Sequence, residues 1–173
     1  MISKSYINGG ISLYKMKKYI LIILVLGLVI FSGCSNKTPD EKNTFTSSLS
    51  NSDKKVTVYK SPTCGCCGGY INELEKNGYE VKVVKEENMN LIKKQFGIPI
   101  NMESCHTSVF ENGYIVEGHV PLEAVEKLLV EKPSIRGIAL PEMPSGTPGM
   151  PGPKRGNYEI HTLGNTSNIF VTI

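Results

Sequence analysis

"VTVYKSPTCGCCGGYINELEKNGYEVKVVK", residues 56–85, carries the pattern on which the fold turns. "VTVYK" (56–60) is β-branched and reads as a short strand. "CCGGYINELEKNG" (66–78) reads as a helix, with Tyr70, Ile71 and Leu74 as its apolar positions and Gly78 at the expected stop. "YEVKVVK" (79–85) alternates as a strand does. A strand, a crossover helix and a second strand imply a parallel pair. Cys64, Cys66 and Cys67 fall at the junction of the first strand and the helix.

Working outward, "NMNLIKKQFG" (88–97) reads as a second helix closed by Gly97. "TSVFENGYIVEGH" (107–119) reads as a hairpin turning at Asn112-Gly113. "PLEAVEKLLVEK" (121–132) is a helix opened by Pro121, with Leu122, Val125, Leu128 and Leu129 on its buried face. The element order β-α-β-α-β-β-α is that of a thioredoxin-like α/β domain, in which reactive cysteines sit between the first strand and the next helix. After Pro133 the composition shifts. "ALPEMPSGTPGMPGPKRG" (139–156) is a Pro/Gly/Met loop without regular structure, and "NYEIHTLG" and "NIFVTI" read as a C-terminal β-hairpin against the sheet edge.

The amino-terminal side is of another kind. "KMKKYILIILVLGLVIFSGC" (15–34) sets Lys15, Lys17 and Lys18 before an apolar run from Ile20 to Ile30, then small residues before Cys34. The run is shorter than the roughly 20 residues of a membrane-spanning helix and has the layout of a signal peptide. "FSGC" resembles the lipobox at which bacterial lipoproteins are cleaved and lipidated, with Phe31 a less usual first residue. Cys34 is then the lipidation site; the alternative is plain export to a periplasmic or secreted location. Met16 is a second candidate start. The expected division is a lipoprotein-type signal peptide at 1–33, a polar tether at 34–54 and one domain at 55–173. A coil of about 20 residues spans on the order of 25 Å, enough to hold a domain clear of a membrane. Residues 1–33 hold four Lys and no acid, so their removal takes the net charge from +3 to −1. A basic surface for nucleic acid is not supported.

With Cys34 set aside as the lipidation site, four cysteines remain: Cys64, Cys66, Cys67 and Cys105. At a helix N-terminus the backbone N–H groups favour thiolate, which serves both disulfide exchange and soft-metal binding. Cys64 and Cys67 form a C-x-x-C pair suited to a thiol–disulfide oxidoreductase, and a 64–67 bridge with a 66–105 bridge is also formally allowed. The inner Cys66 favours metal: a third thiol would compete for the mixed disulfide. Neighbours 66 and 67 diverge, which suits bridged Cu(I) ions better than one tetrahedral zinc. Cys105 and His106 stand just before the hairpin, where the topology brings them to the cluster, and His119 follows the hairpin at the same end of the sheet. Met143 and Met150 offer thioethers that bind Cu(I) without deprotonating, or serve as loop anchors. His161, in a late strand, reads as packing. Gly68 and Gly69 open the helix either to clear the sulfurs or to allow close packing.

Three motifs, "YKSPTCGCCGGY" (59–70), "SCHTSVFENGYIVEGHVP" (104–121) and "ALPEMPSGTPGMPG" (139–152), together resemble the CopG-type metal-binding proteins, a family formerly described only as of unknown function. The resemblance runs from about Val56 to Gly152 and into the terminal strands. It implies a thioredoxin-like fold and a role in copper and silver resistance. By it, Cys64, Cys66, Cys67 and Cys105 are the motif cysteines, His106 the histidine after the fourth of them, and Gly118-His119 the "GH" pair. The Met-containing loop corresponds to Met143 and Met150. The combined expectation is an extracytoplasmic Cu(I)-binding protein holding several ions on thiolates and reached by copper-efflux or copper-chaperone partners. Zinc is the lesser metal candidate.

Overall fold

The computed structural model describes residues 49–164 and 166–173; the expected signal peptide, the lipobox-like stretch at Cys34 and most of the expected tether lie outside the described residues. The elements are β1 (Lys55–Lys60), α1 (Gly65–Lys76), β2 (Glu80–Lys85), α2 (Met89–Gln95), a single 3-10 turn (Ile100–Met102), β3 (His106–Phe110), β4 (Ile115–Glu117), α3 (Leu122–Glu131), β5 (Gly137–Ala139), β6 (Glu159–Leu163) and β7 (Ile169–Thr172). The order through α3 is the one read from the sequence. The strands form one mixed sheet in the order β2-β1-β3-β4-β5-β6-β7. β1 pairs β2 in parallel and β3 antiparallel, and β4 pairs β3 antiparallel and β5 in parallel. β6 and β7 form the terminal hairpin, joined to the sheet through β5.

Alternation explains the layers. Val56 and Val58 of β1, Val116 of β4, Ile138 of β5 and Ile160 of β6 share a core with Tyr70, Ile71 and Leu74 of α1 and with Val125, Leu128 and Leu129 of α3. Ile115, Ala139 and Leu163, the alternate residues of the same strands, pack instead with Ile98 and Met102 around Phe96, just past α2. Helices α1 and α3 therefore cover one face and the α2 region covers the other. Strand β4, clothed on both faces, is buried throughout. Edge strand β2 is largely exposed and carries Lys82 and Lys85, which discourage pairing with another chain. Among the described residues no helix is long and apolar enough to cross a membrane.

The strand that the sequence pattern did not disclose is β5. Three residues opened by a glycine resemble a turn, yet Gly137 pairs with Ile115 in the middle of the sheet. A Cβ there would lie 1.9 Å from the Ile115 carbonyl oxygen, so only glycine admits the approach.

Packing begins before β1. Leu49 packs against the main core, and Asp53, only 3% exposed, accepts from Ser50 Oγ at 2.7 Å, Asn112 Nδ2 at 3.0 Å and Lys132 Nζ at 3.3 Å. These contacts tie the start of the domain to the β3–β4 turn and the end of α3. Burial alone would raise the Asp53 pKa; the hydrogen bonds from Ser50, Asn112 and Lys132 outweigh it and lower the carboxyl from 3.8 to about 2. A depressed folded-state pKa gives stability that is present above the unfolded value and lost as pH falls through the folded one. The domain is expected to lose stability between about pH 4 and pH 2 more steeply than Asp53→Asn does. Urea denaturation at stepped pH measures this; parallel pH slopes would contradict it.

Candidate metal centre

Sheet register explains why distant cysteines meet. Lys60, the last residue of β1, pairs with His106, the first of β3. Cys64 follows that pair by four residues and Cys105 precedes it by one. Thr107 pairs with Glu117, so the end of β4 and the Gly118-His119 that follow lie at the same end of the sheet. Glu117 pairs with Ala139 of the parallel β5, which delivers the Pro/Gly loop there too. The carboxyl ends of three strands and the start of a fourth thus converge on one place.

Cys64 caps α1: its Sγ accepts from the Cys67 N–H at 3.3 Å. Cys64 and Cys67 are joined by a disulfide, and Cys66 and Cys105 are free. Cys66 Sγ lies 3.6 Å from Cys64 Sγ, and Cys105 Sγ lies 3.6 Å from Cys67 Sγ. All four sulfurs fall within 4.8 Å of one another. The neighbours do diverge in environment, Cys67 being fully buried and Cys66 half-exposed.

A second group shares Cys105 with the first. Its Sγ lies 3.3 Å from His106 Nδ1 and 3.1 Å from His119 Nε2, and both rings are buried. His119 Nδ1 donates to the Pro148 carbonyl at 2.7 Å, which leaves Nε2 as the acceptor for the Cys105 thiol. The one thiol proton goes to His119, so His106 Nδ1–H donates to the sulfur. That tautomer leaves His106 Nε2, which is buried without a partner, free of a proton. The two imidazoles meet edge-on at 4.8 Å, and the Tyr70 ring lies 4.6 Å from His106 and 5.7 Å from His119. Burial lowers the pKa of both histidines, keeping each ring neutral with one nitrogen free of a proton and able to serve as a ligand. Burial, reinforced by Cys66, pushes the Cys105 thiol up to about 12. A metal ion binding there displaces that proton.

The Pro/Gly loop closes the site by backbone contact. A Cβ on Gly69 would lie 2.7 Å from Gly149 Cα, whereas one on Gly68 would meet nothing within 4 Å. Gly69 therefore serves close packing of helix against loop. Gly149, at φ +81°, would with a Cβ come within 2.5 Å of the Tyr70 N and 2.6 Å of the Cys66 carbonyl oxygen. Gly149→Ala is expected to destabilise the domain by about 3 kcal/mol, from strain and overlap together. Thermal unfolding checks this, and an unchanged midpoint would contradict the packing.

A family model described as "Protein of unknown function, DUF411" matches residues 102–150. No curated protein matches the chain. Among solved structures, "Copper resistance protein copG- Form 2" is 35% identical, with a TM-score of 0.63 over 69% of this chain and 97% of that one. Form 1 of the same protein gives 35% identity and a TM-score of 0.62, over 69% and 96% of the two chains. The chain belongs to the CopG-type copper-resistance family.

Of the residues singled out from the sequence, the fold gathers Cys64, Cys66, Cys67, Cys105, His106 and His119. Met150 follows the Gly149 contact directly and is half-buried, and Met143 is 39% exposed at φ +47°. His161 lies in β6, its Nδ1 3.4 Å from Ser167 Oγ, and is not among the gathered donors. Three buried polar residues beside the site were not legible as such. Lys60 donates to the Ser61 and Pro62 carbonyls ahead of Cys64, at 2.8 and 3.4 Å, and Lys93 and Glu117 form a buried ion pair. A single Lys on a helix and a single Glu in a strand give no pattern signal. Glu117's position between buried Val116 and the Gly118-His119 pair was the available clue.

Proposed function

We propose that the protein binds Cu(I), and the chemically similar Ag(I), on a thiolate cluster that holds several ions, as part of copper resistance outside the cytoplasm. The observation that carries this is the four sulfurs within 4.8 Å, with two neutral imidazoles on the fourth. Soft thiolates select Cu(I) and silver, and neighbours that diverge favour bridging several ions. The solved relatives named as copper resistance proteins support the same reading. A thioredoxin-like arrangement is part of the proposal, supported by the β-α-β-α-β-β-α order and by the cysteines at the start of α1. Met150, beside the helix contact, is the better placed of the two thioethers.

The bridge between Cys64 and Cys67 has to be reduced before those sulfurs serve as ligands. Elemental analysis of the reduced chain after Cu(I) loading tests the proposal. More than one copper per chain is expected, falling when Cys64, Cys66 and Cys67 are replaced by Ser. No stable copper, or zinc retained in preference to it, would overturn it. The lipid anchor at Cys34, with copper-efflux or chaperone partners at the membrane, rests on the sequence of residues 15–34. Fatty-acid labelling that persists in Cys34→Ser would overturn the anchor.

A second reading has its own support. The Cys64–Cys67 bridge at a helix start, with Cys64 Sγ receiving the Cys67 N–H, is the arrangement of a thiol–disulfide oxidoreductase. Insulin reduction dependent on Cys64 would favour it over copper binding.

A further inference from the structure

A buried charged pair stands directly behind the donor set and is used by none of the chemistry above. Lys93 of α2 is 3% exposed and Glu117 of β4 fully buried. The Lys93 ammonium donates to Glu117 Oε1, and to Thr107 Oγ1 at 2.9 Å. Glu117 Oε1 also accepts the Ser104 N–H at 2.6 Å, and Oε2 accepts the Thr107 hydroxyl at 2.7 Å. Ser104 and Thr107 are the residues on either side of Cys105-His106. The same carboxylate belongs to the residue two before His119. One side chain therefore brackets two of the donors and starts the segment that bears the third.

Stability does not account for such a pair. Removing two charges from water costs about as much as their attraction returns, and apolar residues of like size commonly serve as well or better. What apolar residues do not supply is direction. A carboxylate that must satisfy a backbone N–H, a hydroxyl and an ammonium fixes where each of them sits. The contacts it fixes are those that set Cys105 Sγ 3.6 Å from Cys67 Sγ and 3.1 Å from His119 Nε2.

We infer that Glu117, held by Lys93, is a positioning residue that aims the Cys105-His106 arm at the CxCC sulfurs. The inference rests on the copper-binding reading for its purpose, though the positioning itself can be measured without metal. In a full-length chain carrying Cys34→Ser, Cys64→Ser and Cys66→Ser, only Cys67 and Cys105 remain. Their tendency to close a disulfide against a glutathione redox buffer reports the effective concentration of one thiol at the other. Lys93→Met with Glu117→Leu removes both charges and leaves none unpaired. That double variant is expected to lower the effective concentration about tenfold or more, with native near-ultraviolet dichroism retained. Lys93→Met with Glu117→Gln keeps an acceptor for the Ser104 N–H and is expected to recover part of the loss.

Undiminished closure in the folded Leu variant would overturn the inference. Equal losses in the Leu and Gln variants would overturn it as well, since the acceptor would then not matter. Thr107→Val, which removes one partner and no charge, replaces either double variant that fails to fold and is expected to move closure in the same direction. Cu(I) competition with a chromophoric chelator on chains with all cysteines intact forms the second arm. There the Leu variant is expected to bind about tenfold more weakly than the parent chain. A parent chain that binds no Cu(I) would sink the proposed function and leave the closure result standing.

Discussion

Cys105→Ser is expected to cost more Cu(I) affinity than any other single substitution in the donor set. Cys105 alone belongs to both groups of donors: the four sulfurs, and the trio it forms with His106 and His119. Serine keeps the size and the hydrogen bond to His119 Nε2 but offers a hard oxygen that stays protonated. The loss should exceed the about 10- to 100-fold that follows removal of a supporting residue around a metal site. His106→Ala and His119→Ala each take one nitrogen from one group and are expected to cost less. Chelator competition on the reduced proteins ranks the three variants. A Cys105→Ser chain that binds as well as the parent would place the site on the CxCC loop alone.

The second large effect is one of oxidation state. With Cys64 and Cys67 bridged, the free sulfurs of the cluster are Cys66 and Cys105. Neither bridged sulfur carries charge, so neither can bridge two cations. The reduced chain is expected to take up several Cu(I) ions and the bridged chain at most one. The relation is reciprocal: bound copper withholds the thiolates, and Cu(I)-loaded protein should resist closure of the 64–67 bridge by a disulfide oxidant. Equal copper uptake by both forms would mean that Cys64 and Cys67 are not ligands. It would also favour the oxidoreductase reading of the pair.

Much of this arrangement was legible along the chain because its signals are local. The β1-α1-β2 pattern, the Asn112-Gly113 turn and the Pro121-started helix each follow from residue periodicity or turn chemistry. Three of the four cysteines lie within four positions. The approach of Cys105, His106 and His119 could also be argued, because strand order carries the start of β3 and the end of β4 to the end of β1. Strand β5 was not legible. Three residues opened by Gly137 make no period, and only the closeness of Ile115 reveals why glycine stands there. Nor did the sequence separate packing from clearance at Gly69, since Gly149 is eighty residues away. Lys93 and Glu117 escaped for a related reason. A buried ion pair is a relation between two elements, and each of its members alone reads as a surface charge.

The roles assigned to the two ends of the cluster differ. In the proposed copper centre the sulfur end supplies the charge that bridges ions, and the imidazole end supplies neutral nitrogen donors, His119 among them oriented by the Pro148 carbonyl. Cys105 joins them, and the loop through Gly149 holds α1 against that junction.

X-ray absorption at the copper edge of the reduced, Cu(I)-loaded chain tests the central claim most directly, because it reads the ligand atoms and any neighbouring copper together. Thiolate bridging predicts a first shell dominated by sulfur with a copper–copper shell behind it, the latter lost in Cys66→Ser. A first shell of nitrogen and oxygen alone, or sulfur ligation with no second copper in the parent chain, would contradict it.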